Sequence, residues 1–149
     1  MATKILFVDD EEWSVNSYID VLEDHHLTAD LAKNGDEAIR KLKRQSYELI
    51  VLDIMVPPGE EIGKNVEPRR AGVNLLAMIR DGKIRGMKSS SAVPIIILTA
   101  VTDKKLLEEV RSKQVSEIFQ KPAAFDQVTG KLLSLLQAGN REVKSQNRE

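Results

Sequence analysis

The chain has no cysteine among its 149 residues, so disulfides, thiol catalysis and cysteine-bound metals are excluded. Histidine is scarce too. The two present, His25 and His26, are adjacent, have no metal-binding company and read as a surface turn. Neither sign of charge is in excess. Lys and Arg number 22 against 23 Asp and Glu, and a net charge of -1 gives no electrostatic reason to expect nucleic acid or an anionic membrane as partner. No apolar run approaches the ~20 residues of a bilayer span. The short run after Lys4 is broken by Asp9, too early for a secretory signal, so a cytoplasmic location is the default expectation. Neither G-x-G-x-x-G nor a Walker motif occurs, which removes the glycine-rich phosphate loops.

What is present is an alternation. Apolar runs at 5–8, 49–52 and 95–98 have no polar interruption, which suits central strands buried on both faces. Weaker, mixed runs at 26–32 and 116–120 suit edge strands. Between them lie helical stripes: Val15, Ile19 and Leu22; Ala38, Ile39 and Leu42; Val73, Leu76 and Ile79; Leu106 and Val110; Phe125, Val128, Leu132 and Leu135. Asn34-Gly35 marks a turn before the second helix, Thr102 or Asp103 can cap the fourth, and Gly139-Asn140 reads as a stop for the fifth. Five strands and five helices in strict alternation predict a parallel α/β sheet covered by helices. Two stretches exceed this plan, residues 56–70 and 81–93, and both read as long loops. Residues 140–149 read as a polar tail.

The strand ends carry the chemistry. The first strand runs into Asp9-Asp10, the third into Asp53, the fourth into Thr99-Ala100 and the fifth into Lys121-Pro122. In a parallel sheet these ends share one edge, where open α/β sheets bind ligands. Three carboxylates packed together repel unless a cation or protons neutralise them, and oxygen ligands alone suit Mg²⁺. Lysine supplies a compact charge for phosphate and threonine a hydroxyl. Singly, each residue is as well explained as a helix cap, a turn residue or a strand terminus. Together, at separate strand ends, they favour a site.

This ordered set resembles the response-regulator receiver domain of two-component signalling, over about residues 4–138. The resemblance rests on Asp9-Asp10, Asp53 with Pro57 four residues on, Thr99-Ala100 and Lys121-Pro122. It implies a flavodoxin-like, doubly wound sheet in the order 2-1-3-4-5, with the domain at 1–139. It further implies Asp53 as phosphoacceptor from a sensor histidine kinase or histidine phosphotransfer protein. Asp9, Asp10, Asp53 and the backbone carbonyl of Met55 would hold Mg²⁺. Lys121 would pair with the phosphoryl group, and Thr99 would swing in to bond it. The output would be a conformational switch rather than an enzymatic turnover. The family's output surfaces involve the fourth helix, fifth strand and fifth helix, a face that also offers a route to a homodimer.

The chain departs from the family pattern in three places. Ile118 stands where an aromatic residue usually precedes the lysine by three, and the neighbouring Phe119 is expected on the other face of its strand. The stretch after Asp53 is about ten residues longer than ordinary loops, with Gly72 at the glycine that usually opens the third helix. Residues 57–70 are expected to form a flap gating the acceptor, with a surface insertion of no role as the alternative. Met55 and Val101 occupy the positions two beyond Asp53 and Thr99, and neither hydrogen-bonds an attacking water well. Trp13 either packs beside the site or covers helix surface. The Lys41, Lys43 and Arg44 cluster reads as a solvated helix face. The main rival function is a receiver-like interaction module that is never phosphorylated.

Overall fold

Runs of Ile, Leu and Val that cannot face water on either side become the middle of one sheet. In a computed structural model of the chain, β1 (Lys4–Val8), β3 (Leu49–Leu52) and β4 (Ile95–Thr99) are central, with β2 (Thr28–Ala32) and β5 (Glu117–Gln120) at the edges. The structure describes residues 4–59 and 67–147, without the side chains of 68, 69 and 138–147. All pairings are parallel and the order is β2-β1-β3-β4-β5, as expected. The chain reverses direction of winding between β1 and β3, which is where such sheets open a crevice.

Side chains alternate across the sheet and feed two cores. Leu6, Val8, Ile50, Leu52, Ile95 and Ile97 face α2 (Gly35–Arg44), α3 (Pro68–Arg80) and α4 (Lys104–Arg111). Ile5, Phe7, Leu49, Val51, Ile96 and Leu98 face α1 (Glu12–Asp24) and α5 (Phe125–Asn147). Ile118 packs with the first core and Phe119 with the second, so the two do sit on opposite faces. Asn34 caps α2 by accepting from the Glu37 amide at 2.8 Å, and Asp103 caps α4 by accepting from the Lys105 and Leu106 amides. His25 and His26 form the turn that ends α1, with His26 at a positive φ of 62°.

Two local readings need correction. The stop expected at Gly139-Asn140 is passed, and α5 runs on to Asn147. The residues beyond it, including Arg141, Glu142, Lys144 and Gln146, are good helix formers, which offsets the roughly 1 kcal/mol cost of one interior glycine. The third helix opens at Pro68, whose fixed φ suits a first turn, four residues before Gly72. The loop expected at 81–93 is a loop, and it is pinned. The Arg80 guanidinium donates to the carbonyls of Ser91, Val93, Lys113 and Gln114, the Tyr47 amide donates to Ser89 Oγ at 2.7 Å, and Ile84 and Val93 are buried. Residues 60–66 of the expected flap lie outside the described residues. Its described beginning packs on α2, where the Gly35 amide donates to the Pro57 carbonyl at 2.9 Å.

Gly72 has a different job from opening a helix. Its amide donates to the Ile54 carbonyl at 3.0 Å, and a Cβ there would meet the Ile54 Cα and O at 2.4 Å and the Asp53 O at 2.7 Å. These are backbone atoms that cannot swing aside, so only glycine lets α3 lie against the segment that carries Asp53. Gly72→Ala is therefore expected to lower stability by about 1–3 kcal/mol in urea denaturation. Gly130→Ala on α5, where a Cβ meets nothing within 4 Å, is expected to leave stability unchanged or raise it. Equal effects at the two positions would contradict the close-approach explanation.

Candidate functional site

Strand register brings the acids together. Val8 pairs with both Ala32 and Leu52, so the next residues, Asp9 and Asp53, leave the sheet side by side. The ladder continues one step beyond the strands: the Asp9 amide donates to the Ala32 carbonyl and the Asp53 amide to the Val8 carbonyl, both at 2.9 Å. Thr99 pairs with Gln120, and the Lys121 amide then donates to the Thr99 carbonyl at 2.8 Å. The Lys121-Pro122 peptide is cis. Four strand ends thus deliver four functional residues to one edge.

Their side chains converge. Lys121 Nζ lies 2.9 Å from Asp9 Oδ2 and 3.1 Å from Asp53 Oδ2. Thr99 Oγ1 donates to Asp53 Oδ1 at 2.7 Å, and the Met55 amide donates to the same oxygen at 3.0 Å. Both oxygens of Asp53 are therefore held by the groups named from the sequence. Thr99 is wholly buried and already turned toward Asp53, so the inward swing expected of it is not needed to reach the acceptor. Glu11, which sequence reasoning missed, lies 3.5 Å from Lys121 through Oε2, and its amide donates to Asp9 Oδ1 at 2.9 Å. Its position directly after the acid pair was the available signal.

The electrostatics follow from burial. Asp9 and Asp53 are buried and Asp10 is exposed. Burial is the chief influence on Asp9 and raises its pKa above the ordinary value, against the Glu11 amide and Lys121, which pull it down. Burial alone would depress Lys121, but its bond to Asp9 and the Asp53 charge outweigh that and hold the ammonium well above its usual pKa. Among the described residues, Asp9, Asp10 and Asp53 form the one group of metal-ligating side chains whose donor atoms all lie within 4.8 Å of one another. The carboxylates of this cluster outnumber the single ammonium, which leaves negative charge that a divalent cation can offset. Such oxygen donors, one of them exposed, suit a hard ion that keeps several waters.

Beside Lys121 a cleft of about 460 Å³ opens toward α1 and the start of α5, lined by Glu11, Trp13, Tyr18, Leu98 and Pro122 among others. Trp13 is 78% exposed, so it forms the lip of this cleft and packs on neither the acids nor the core. Tyr18 stacks between Phe7 and Phe125. Met55 is exposed, while Val101 is buried with its amide donating to Thr99 Oγ1 at 3.3 Å.

The model of the response regulator receiver domain matches residues 5–133. The chain belongs to that family. It is 27% identical over 131 residues to the chemotaxis protein CheY of Halobacterium salinarum, covering 87% of this chain and 96% of that one. It is 38% identical over 98 residues to the transcriptional regulatory protein ResD of Bacillus subtilis, where it covers 66% of this chain and 33% of the relative. Histidine kinase 5 of Arabidopsis thaliana matches at 26% identity, over 84% of this chain and 15% of the kinase. Receiver domains thus recur both as near-whole proteins and as parts of larger ones. The fold is shared with a CheY-like receiver domain protein from Methanospirillum hungatei at a TM-score of 0.73 and 20% identity, over 95% and 99% of the two chains. The non-phosphorylated HemR receiver domain of Leptospira biflexa aligns at a TM-score of 0.69 and 22% identity, over 89% and 93%. The chain is a receiver domain of two-component signalling.

In this receiver domain the lysine bridge can be tested as a unit. Lys121→Met leaves two buried carboxylates facing each other and is expected to cost about 3 kcal/mol in urea denaturation without divalent ions. In an Asp9→Asn/Asp53→Asn background the same substitution is expected to cost less than about 1 kcal/mol, because the groups that needed the ammonium are gone. Equal costs in both backgrounds would show that the bridge is not a coupled unit.

Proposed function

We propose that Asp53 accepts a phosphoryl group from a phosphohistidine on a sensor histidine kinase or histidine phosphotransfer protein, and that its phosphorylation switches partner binding. The observation that carries this reading is the convergence of Thr99 and Lys121 on the two oxygens of Asp53, inside the cluster formed with Asp9 and Asp10. Phosphoryl transfer asks a protein for positioning and charge neutralisation more than for covalent chemistry. An Asp53 carboxylate oxygen attacks phosphorus in line, the P–O bond forms as the P–N bond breaks, and the imidazole leaves on the partner. Lys121, already between Asp9 and Asp53, shifts its ammonium to the incoming phosphoryl oxygens. Thr99 is placed to move its hydroxyl from Asp53 Oδ1 to the same oxygens.

Mg²⁺ fits the donor set, and Asp9, Asp10, Asp53 and the backbone carbonyl of Met55 would hold it. When bound, it supplies charge neutralisation for the transferring group. The lip formed by Trp13 beside Lys121 is where we take the partner's phosphohistidine to approach. New oxygens on Asp53 pull on Thr99 at the end of β4 and Lys121 at the end of β5, and so bias the face of α4, β5 and α5 between two arrangements. Ile118 packs, partly buried, against the core that includes α4, so we take the switch to rest on Thr99 and loop movement rather than on an aromatic side chain at that position.

Incubation with a small phosphodonor and Mg²⁺ is expected to label one residue, mapped to Asp53 by mass spectrometry, with no label in Asp53→Ala. Label elsewhere, or none in the unaltered chain, would contradict the assignment. The phosphoaspartate is expected to be long-lived, because neither Met55 nor Val101 orients a water for attack. Met55→Asn restores a hydrogen-bonding side chain and is expected to shorten the half-life roughly tenfold, the equivalent of about 1.4 kcal/mol of barrier. Rapid loss of label from the unaltered protein would sink this part of the account.

A further inference from the structure

We propose that the groove between α2 and the loop following α3 docks an acidic peptide segment of a partner protein, one that carries aliphatic side chains between its carboxylates. The groove holds about 400 Å³. Its floor is apolar, made by Ile39, Met78 and Ile84, and its rim is basic, made by Lys43, Lys83 and Arg85. Asp36, at one end of the lining, is buried and already engaged.

The charge here is far from the chain's average. Residues 38–47 and 82–94 carry Arg40, Lys41, Lys43, Arg44, Lys83, Arg85 and Lys88, which is seven of the 22 cations and none of the 23 acids. The two segments are packed together, the Lys88 amide donating to the Leu42 carbonyl at 3.0 Å and the Tyr47 amide to Ser89 Oγ. None of these seven side chains forms an ion pair with a described residue, whereas Lys33, Arg70, Lys113 and Lys121 all do. Among the described residues these cations have no ion-pair partner, and three of them, Lys43, Lys83 and Arg85, rim one concave apolar surface.

The bland explanation covers three of the seven cations. Lys41, Lys43 and Arg44 sit in the last turn of α2, where cations complement the helix dipole. Lys83, Arg85 and Lys88 lie in a non-helical loop and gain nothing from that dipole. The loop is also rigidly presented, since the Arg80 guanidinium donates to the Ser91 and Val93 carbonyls at 2.7 Å each. A preformed surface loses little entropy on binding. The chemistry favours a peptide over other anions. Single-stranded nucleic acid is held by exposed aromatic platforms, and this groove offers aliphatic side chains instead. A concave floor takes a side chain more readily than a flat lipid surface. The lining includes none of the residues of the aspartate cluster, so binding here is separable from events at Asp53.

The test is fluorescence anisotropy of the whole, unphosphorylated chain with a labelled peptide in which glutamates flank a pair of leucines. Saturable binding is expected, weakened at least tenfold in Lys83→Glu/Arg85→Glu and in Lys43→Glu, and weakened comparably when the peptide's glutamates become glutamine or its leucines serine. Methyl NMR shifts are expected at Ile39, Met78 and Ile84. The substituted cations are exposed, so the variants should keep the parent melting curve. The proposal is overturned by absence of saturable binding, by charge-reversal variants that bind unchanged, or by equal binding of the glutamine peptide. Displacement by single-stranded DNA at stoichiometric amounts, or self-association that disappears in Lys83→Glu/Arg85→Glu, would likewise overturn it in favour of a nucleic acid or a second copy of the chain.

Discussion

One ammonium stands between two buried carboxylates, and the edge of the sheet is organised around it. Lys121 reaches Asp9 across 112 residues of sequence and Asp53 across 68, from the far end of the sheet. Without a positive charge there, two partly desolvated aspartates would face each other a few ångströms apart, and one of them would have to take up a proton. With it, the cluster stays anionic but short of compensation. Under the proposed function that state is poised: a divalent cation or a phosphoryl group would bind by exchanging partners the lysine already holds. A site built to be complete would have no reason to respond.

Backbone geometry makes this bridge reproducible. The ladder bonds that continue past β1, β3 and β5 fix the backbone of Asp9, Asp53 and Lys121 to a neighbouring strand. On the helix side, Gly72 lets α3 press against Ile54 without a Cβ in the way, so the residue after Asp53 is clamped between helix and sheet. Thr99 and the Met55 amide then hold one oxygen of Asp53 while the lysine holds the other. Asp53 is oriented by five elements at once, and the proposed switch would carry changes in bonding at its oxygens to α4 and β5.

Much of this was legible in the residues, for a physical reason. A buried parallel strand needs an unbroken run of Ile, Leu and Val, and the three central runs stand out against a polar background. Ligand chemistry in such a sheet lies at the carboxyl ends of strands, so reading one residue past each run found Asp9, Asp53, Thr99 and Lys121. What escaped was of two kinds. Local propensity misjudged helix ends: Pro68 starts α3 earlier than Gly72 suggested, and α5 runs through Gly139 because its neighbours are strong helix formers. Tertiary relations left no local mark at all. Nothing in the string says that Trp13 stays in water or that Arg80 ties down the loop that follows it.

The central claim is that the aspartates and Lys121 share one charge-deficient spot. Calorimetric titration of Mg²⁺ addresses it most directly. The account predicts saturable binding of one ion per chain, weakened at least tenfold in Asp53→Asn and tightened in Lys121→Met, where the competing cation is gone. No saturable heat in the unaltered chain, or affinity indifferent to both substitutions, would contradict it.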